Sequence, residues 1–281
     1  HTTSIYAYNS AQPGCEGDGI KACLRVGAKM DETHSSMLFD RASVPADSLG
    51  GADCDTAMVF WMGSQPWLKV NLNGERFCNE SGPYDYMLHS TIMQPHQTYV
   101  DIWDANHAAQ AEAFDEVGCC RLFPFPNGAK NNIPMQVVDG MIEKLIEDGY
   151  VQQADTMEEL AEKLNLPVET TVASWKHYNE MAAAGEDTDY YKKPVFLTPV
   201  KQGPFYALKV GPALLAVCGG LKCNNDFQCL DENGEVIEGL YVLGNIMGDI
   251  TAVDYPINVA GNSHGRCIPF GYLLGHELAE A

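Results

Sequence analysis

Glycine-edged turns near the C-terminus are where the residue types of this chain could do chemistry. Gly219-Gly220 opens the region, Gly244-Asn245 breaks the short apolar strand Leu240-Tyr241-Val242-Leu243, and Gly261-Asn262-Ser263-His264 leads into the apolar segment Ile268 to Leu274, which reads as a closing helix. Strand, glycine turn and helix start is the order in which a chain brings backbone N–H groups up to an electron-rich ligand atom, because the first N–H groups of a helix have no partner within it. The same order also makes an ordinary connection, and on these residues alone both readings stand. Between the first two turns, Asp231-Glu232-Asn233-Gly234 separates Cys229-Leu230 from Val236-Ile237, and an Asn-Gly pair accepts the positive φ of a tight turn, so a hairpin is expected.

Other polar residues give weaker signals. Gly17-Asp18-Gly19-Ile20, followed by Ala22, Leu24, Val26 and Gly27, reads as a loop entering a short helix stopped by glycine, with Asp18 as its N-cap. His89, His96, His107, His177 and His276 are single, and the ten cysteines form no CxxC pair and no Cys/His group at zinc spacing, so no metal is assigned. Scattered cysteines suit free thiols in a reducing setting better than a disulfide scaffold, and adjacent Cys119-Cys120 have no explanation.

The elements that must position these residues come from periodicity. With 281 residues and 46% apolar content, the chain can bury a sizeable core in one large or two modest domains. A formal charge of -21 argues against sequence-independent binding to nucleic acid or an anionic membrane. No apolar run reaches the roughly 18 residues of a spanning helix, so the chain reads as soluble with no membrane span. Trp67 to Leu72 alternates apolar and polar residues ahead of a turn at Asn73-Gly74, and Tyr99 to Asp104 reads as a second strand. Helices are expected over Ala105 to Val117 and Met135 to Gly149. A third follows from Asp155-Thr156-Met157-Glu158, read as a capping box opening a helix over 156–164. Pro167 suits the first position of a further helix, whose Val168, Val172, Trp175 and Tyr178 share one buried face up to Gly185.

GGLKCNNDFQCLDENGEVIEGLYVLGN, from Gly219, and AGNSHGRCIPFGYLLGHELA, from Ala260, resemble the C-terminal FAD-binding segment of the fumarate reductase and 3-ketosteroid dehydrogenase family, the FAD-binding type 2 flavoproteins. The likeness continues backward. Gly74-Glu75-Arg76-Phe77-Cys78-Asn79-Glu80 resembles the GERF-x-NE motif where the family's cap domain begins, 154–185 resembles its cap helices, and Gly203-Pro204-Phe205-Tyr206-Ala207 resembles the strand that returns to the flavin domain. For Glu75 and Arg76 the plainer reading is mutual ion pairing at a domain hinge. The resemblance implies an α/β fold, the C-terminal part of a Rossmann-like FAD-binding domain with an inserted α+β cap domain: 1–57 and 205–281 in the former, 58–204 in the latter, substrate between the two. It implies FAD as cofactor, held by Asp18, Gly219, Gly220, Gly244, Asn245, Gly261, Asn262, Ser263 and His264. The helix start at Ser263-His264 would face the pyrimidine end of the flavin, where charge builds at N1 and O2 on reduction. Asn245 stands where many relatives use an acidic residue on sugar hydroxyls. No GxGxxG is present, so the pyrophosphate and adenine are expected on an N-terminal part of the same flavoprotein, a missing part that also sets the compartment, cytoplasmic or exported.

Departures from the family pattern decide the substrate. Tyr84 aligns with the arginine that delivers the proton in fumarate reductases, and Phe60 and Gly63 fall where their proton relay lies. Ala216 aligns with their substrate histidine and Asn258 with the arginine that clamps a carboxylate. Without that guanidinium fork a small dicarboxylate is poorly recognised. A phenol of reference pKa about 10 can donate a proton when its anion is stabilised, and ketosteroid dehydrogenases use tyrosines in this way, which brings Tyr84 and Tyr255 forward as catalytic; the alternative for Tyr84 is a packed aromatic at a turn. The implied reaction is hydride transfer between flavin N5 and a C=C or CH-CH bond of a small unsaturated substrate, as an ene-reductase on an enone or enoate, with an electron donor the sequence does not identify. A dehydrogenase working in reverse and a non-catalytic flavin-fold fragment are the alternatives.

Overall fold

The computed structural model describes residues 8–9, 14–33, 36–50, 61–114, 135–251, 259 and 261–280. By compactness the chain divides into two units, one made of His1–Thr3, Ser10–Met37 and Leu214–Ala281, the other of Ser4–Asn9 and Leu38–Ala213.

The larger unit is built on one sheet. Its strands, of which β2 and β6 run past the bounds of the unit, are β1 (Tyr8–Asn9), β2 (Ser36–Val44), β3 (Leu68–Asn71), β4 (Tyr99–Asp104), β5 (Val151–Ala154) and β6 (Phe205–Val217). β6 is long enough to pair with four partners along its length. Over Phe205 to Leu208 it lies antiparallel between β4 and β5, and β3 closes the outer side of β4 with Leu68 opposite Ile102 and Val70 opposite Val100. Both faces of this sheet are covered. Tyr99, Trp103, Leu208 and Val210 face Ala111 of α3 (His107–Ala113) and Val138, Ile142 and Leu145 of α4 (Met135–Glu147). The alternate residues Val100, Ile102, Phe205 and Ala207 face α5 (Met157–Lys163) and α6 (Val168–Ala184). The period-2 pattern of a strand thus feeds two cores, not one core and solvent.

Several elements differ in detail from the sequence expectation. β4 and α4 lie where expected, as do Val168, Val172, Trp175 and Tyr178 against one core. The polar positions of β3 are not solvated: Lys69 and Asp101 stand opposite each other in register, both side chains are 0% exposed, and they pair at 3.0 Å. The cap of α5 is shifted by one residue. Thr156, not Asp155, is the N-cap and accepts the Glu159 N–H at 3.2 Å. Pro167 is the residue before α6, not its first position, and Gly185 ends that helix with φ 73°. The helix expected over Ala105 to Val117 is shorter: it begins at His107 and ends at Ala113, where Phe114 is extended at φ -66° and ψ 140°, and 115–117 lie outside the described residues.

Arg76 of the GERF motif is the centre of a buried ion network. Its guanidinium donates to both oxygens of Glu80 at 2.8 and 2.9 Å and to both oxygens of Asp187 at 2.8 and 2.6 Å. Lys192 adds an ion pair to Glu80 at 3.2 Å and hydrogen bonds to the Tyr178 hydroxyl and the Pro66 carbonyl. The Arg76 fork lies over the rings of Tyr178 and Tyr190, 5.3 and 5.0 Å from their centroids. Glu75 instead accepts from Asn71 at 3.4 Å. The pairing expected of this motif therefore belongs to Arg76 and Glu80, and it ties the chain after β3 to the loop after α6.

The smaller unit contains α1 (Asp18–Arg25), β7 (Gln228–Leu230), β8 (Val236–Tyr241) and α7 (Asn262–Glu280). β7 and β8 form the expected hairpin, with Gly234 at φ 79°. The hairpin's second strand and the apolar strand expected at 240–243 are one element: Gly239, at φ 77°, lets β8 continue through a register shift. Cys23, Ala28, Leu221, Cys229 and Val242 form one small core, and Phe227, Met247 and Leu274 a second.

Candidate cofactor site

The expected site residues of the smaller unit fall on three turns that touch. α1 begins at Asp18, and the N-cap is Gly17, at φ 72°, so Asp18 caps nothing; its exposed carboxylate lies 3.6 Å from Lys21. A Cβ on Gly19 would stand 2.9 Å from Ile246 Cδ1, which puts the start of α1 against the 3-10 turn Gly244–Ile246. Gly244 has φ 77°, and a Cβ there would meet Cys267 Sγ at 2.7 Å, so this turn in turn lies against α7. Asn245 Oδ1 accepts from Ser263 Oγ at 2.8 Å and from Arg266 Nη2 at 2.9 Å. Gly261, at φ 75°, brings the chain into α7, which begins at Asn262, Ser263 and His264, and the Asn262 N–H donates to the Val259 carbonyl at 3.2 Å.

Gly219 and Gly220 form the packed floor of this unit. The Gly220 N–H donates to Asp31 Oδ2 at 3.1 Å, and its carbonyl accepts the Asp31 N–H at 2.8 Å. Asp31 Oδ2 also accepts from the Asp249 N–H at 3.2 Å. A Cβ on Gly220 would stand 2.3 Å from the Ile246 carbonyl oxygen and 2.7 Å from Gly248 N. Backbone cannot yield there, whereas the side-chain tip near Gly19 can. Gly220→Ala is therefore expected to lower stability by about 1–3 kcal/mol through overpacking, and Gly19→Ala by clearly less, as read by urea unfolding of the two variants side by side. Equal losses would mean that the crossing at Gly220 is not tight.

Two residues of this site carry no signal in the motif reading. Asp31 is buried and holds two backbone N–H groups from distant segments, which only the folded chain brings together. Arg266 donates one hydrogen bond to Asn245, while its Nε and Nη1 are buried and have no partner among the described residues. A cation near a helix N-terminus sits against the macrodipole, and that conflict was the sequence signal available for it. Unspent donors beside an amide, a hydroxyl and a helix start suit an electron-rich ring edge or a ring carbonyl.

The remaining site residues lie elsewhere. Ala216 is exposed on β6. Tyr84 belongs to the larger unit, where its backbone begins α2 (Tyr84–Ile92) after Pro83. Tyr255 and Asn258 lie outside the described residues. Among the described residues no group of three or more His, Cys, Asp or Glu is placed to hold a metal, and no helix is long and apolar enough to cross a membrane.

Comparison with known proteins bears on this geometry. The family described as FAD binding domain matches residues 1–257. A vinyl phenol reductase of Lactiplantibacillus plantarum is 29% identical over 94% of this chain and 53% of its own length. A 3-oxosteroid 1-dehydrogenase of Mycolicibacterium smegmatis is 30% identical over 94% of this chain and 46% of its own. The chain thus spans about half the length of these curated relatives. The crystal structure of a 3-ketosteroid delta1-dehydrogenase from Sterolibacterium denitrificans superposes with a TM-score of 0.66 at 22% identity, over 98% of this chain and 48% of that one, a likeness of fold.

Proposed function

The chain belongs to the FAD-binding domain family, and on that premise we propose that it is the C-terminal part of an FAD-dependent oxidoreductase, an ene-reductase acting on an enone or enoate other than a small dicarboxylate. The observation that carries this reading is the meeting of Asn245, Ser263 and Arg266, with two buried guanidinium donors that have no partner among the described residues. When bound, FAD supplies hydride exchange at N5. Arg266 and the start of α7 would hold the pyrimidine edge and would offset negative charge there. Asn245 and Asp18 would take sugar hydroxyls, and Gly244 and Gly261 would give the backbone its close approach. In this reading 1–57 and 205–281 are parts of the flavin-binding domain and 58–204 the cap.

Tyr84, or Tyr255, delivers the proton that balances hydride transfer to the other carbon of the double bond. Ala216 and Asn258 take the places where a dicarboxylate enzyme needs histidine and arginine, so the substrate's recognised end is a carbonyl or an apolar ring. The likeness to a vinyl phenol reductase agrees with reduction of such a conjugated bond. The likeness to a 3-oxosteroid 1-dehydrogenase supports a second reading, desaturation by the same residues in reverse.

The test joins this chain to the N-terminal part of its flavoprotein and compares substrates. With reduced viologen as donor, a cyclic enone or an aromatic enoate is expected to turn over and fumarate to be left nearly untouched. Faster reaction of the saturated ketone with an oxidised acceptor selects the dehydrogenase reading. Fumarate as the better substrate overturns the substrate class, and a purified protein without a flavin absorption band overturns the proposal as a whole.

A further inference from the structure

Cys223 and Cys229 occupy a position that the flavin reading does not use. Both are free thiols, and they face each other across an antiparallel bridge. The hydrogen bonds flanking the bridge run from Leu230 N–H to the Lys222 carbonyl and from Asn224 N–H to the Gln228 carbonyl, each at 3.0 Å. The bonds therefore join the residues on either side and not the cysteines themselves, which defines a non-hydrogen-bonded pair. In such pairs the Cα atoms are about 4.5 Å apart and the side chains leave on the same face, within the separation of about 4.4–6.8 Å that a disulfide spans. Cys229 is buried and Cys223 half-buried, and both belong to the same small apolar cluster.

The loop between them is held without the bond. Asn224 Oδ1 accepts the N–H groups of Asp226 and Gln228, and the Phe227 carbonyl accepts the Val242 N–H at 2.8 Å. The two thiols are therefore already opposed when the protein is reduced.

We propose that Cys223 and Cys229 form an oxidative modification site, closed to a cross-strand disulfide by exchange with a low-molecular-weight disulfide. The half-buried Cys223 thiolate attacks one sulfur of the small disulfide and expels one small thiolate, leaving a mixed disulfide. Cys229 then attacks the Cys223 sulfur and expels the second small thiolate. The two protein thiols are oxidised, the small disulfide is reduced to two thiols, and the two protons lost by the cysteines end on them. Burial raises the pKa of both thiols, with the neighbouring Cys229 adding to the effect on Cys223 and Cys23 to that on Cys229. Closure is accordingly slow at neutral pH and accelerates as pH rises. The bond ties the segment at Leu221, which is bridged to Met247, directly to β7.

The experiment treats the native full-length protein with oxidised glutathione, alkylates the remaining thiols and maps the peptides by mass. A Cys223–Cys229 cross-linked pair that dithiothreitol removes is the expected product. It is absent from Cys223→Ser and Cys229→Ser and is retained in Cys23→Ser. If either serine variant fails to fold, the wild-type map still decides. Separate alkylation of both cysteines under conditions that glutathionylate exposed Cys15 overturns the proposal, as does a Cys23–Cys229 bond.

Discussion

Tyr84→Phe is expected to lower turnover of the enone or enoate by about 100-fold or more while leaving the flavin bound, because removing a general acid from a proton-coupled step forfeits roughly 10²- to 10⁴-fold. The phenylalanine keeps the ring and deletes the one proton the side chain can give. Hydride transfer to one carbon of a conjugated double bond builds charge on the group that activates it, and the step completes only when the other carbon is protonated. A phenol of ordinary pKa about 10 holds its proton at neutral pH and is a competent donor. The loss should appear in kcat, with KM little changed, since the proton is delivered in the transition state and not on binding. Reduction of the bound flavin by the artificial donor should keep its wild-type rate, which separates a lost proton from a lost cofactor. Tyr86, exposed on the same helix, is the control, and Tyr86→Phe should turn over normally. Unchanged turnover in Tyr84→Phe would remove Tyr84 from the mechanism and leave Tyr255 as the proposed donor.

What could be read in advance, and what could not, follows from the range of each signal. β4 and α6 were legible because their apolar residues repeat at strand and helix period within one short segment. The turns at Gly244 and Gly261 were legible because positive φ leaves glycine as the easy choice. The pairing of Lys69 with Asp101 was not, since it depends on the register of two strands 32 residues apart, and an alternating pattern equally describes a strand with a wet face. The partner of Arg76 at Asp187 is 111 residues away, and no local pattern points to it. Arg266 is the sharpest case. Its place in the sequence runs against the helix dipole, yet only the folded chain shows that two of its donors are buried without a partner among the described residues.

Glu80→Gln is the substitution in the larger unit expected to cost most, about 3–5 kcal/mol, as when one partner of a buried ion pair is removed, with a fall in Tm of roughly 10 °C or more. Three cations, Lys69, Arg76 and Lys192, face three carboxylates, Asp101, Glu80 and Asp187. Glu80 is shared by Arg76 and Lys192, and its side chain and that of Lys192 are 0% exposed, so neutralising it leaves a buried ammonium with no countercharge among the described residues. Truncating both ends should cost less than the sum of the single changes: Glu80→Gln combined with Lys192→Met is expected to show a coupling of about 1–3 kcal/mol in a double-mutant cycle. The same carboxylates set the acid limit of the fold. Burial alone would raise the pKa of Glu80, but Lys192 and the hydrogen bonds from Arg76 outweigh it and hold the group below its ordinary value. Burial likewise works against ionised Asp187, and the Arg76 fork with the Lys192 and Tyr190 N–H groups overcomes it. A carboxylate whose folded pKa is depressed contributes stability above its unfolded pKa of about 4 and loses it as pH falls through the folded value. Wild-type Tm should therefore decline below pH of about 4, and Glu80→Gln should start lower and decline less steeply. Parallel Tm curves for the two proteins in acid would show that folding leaves the Glu80 pKa where it stands in the unfolded chain.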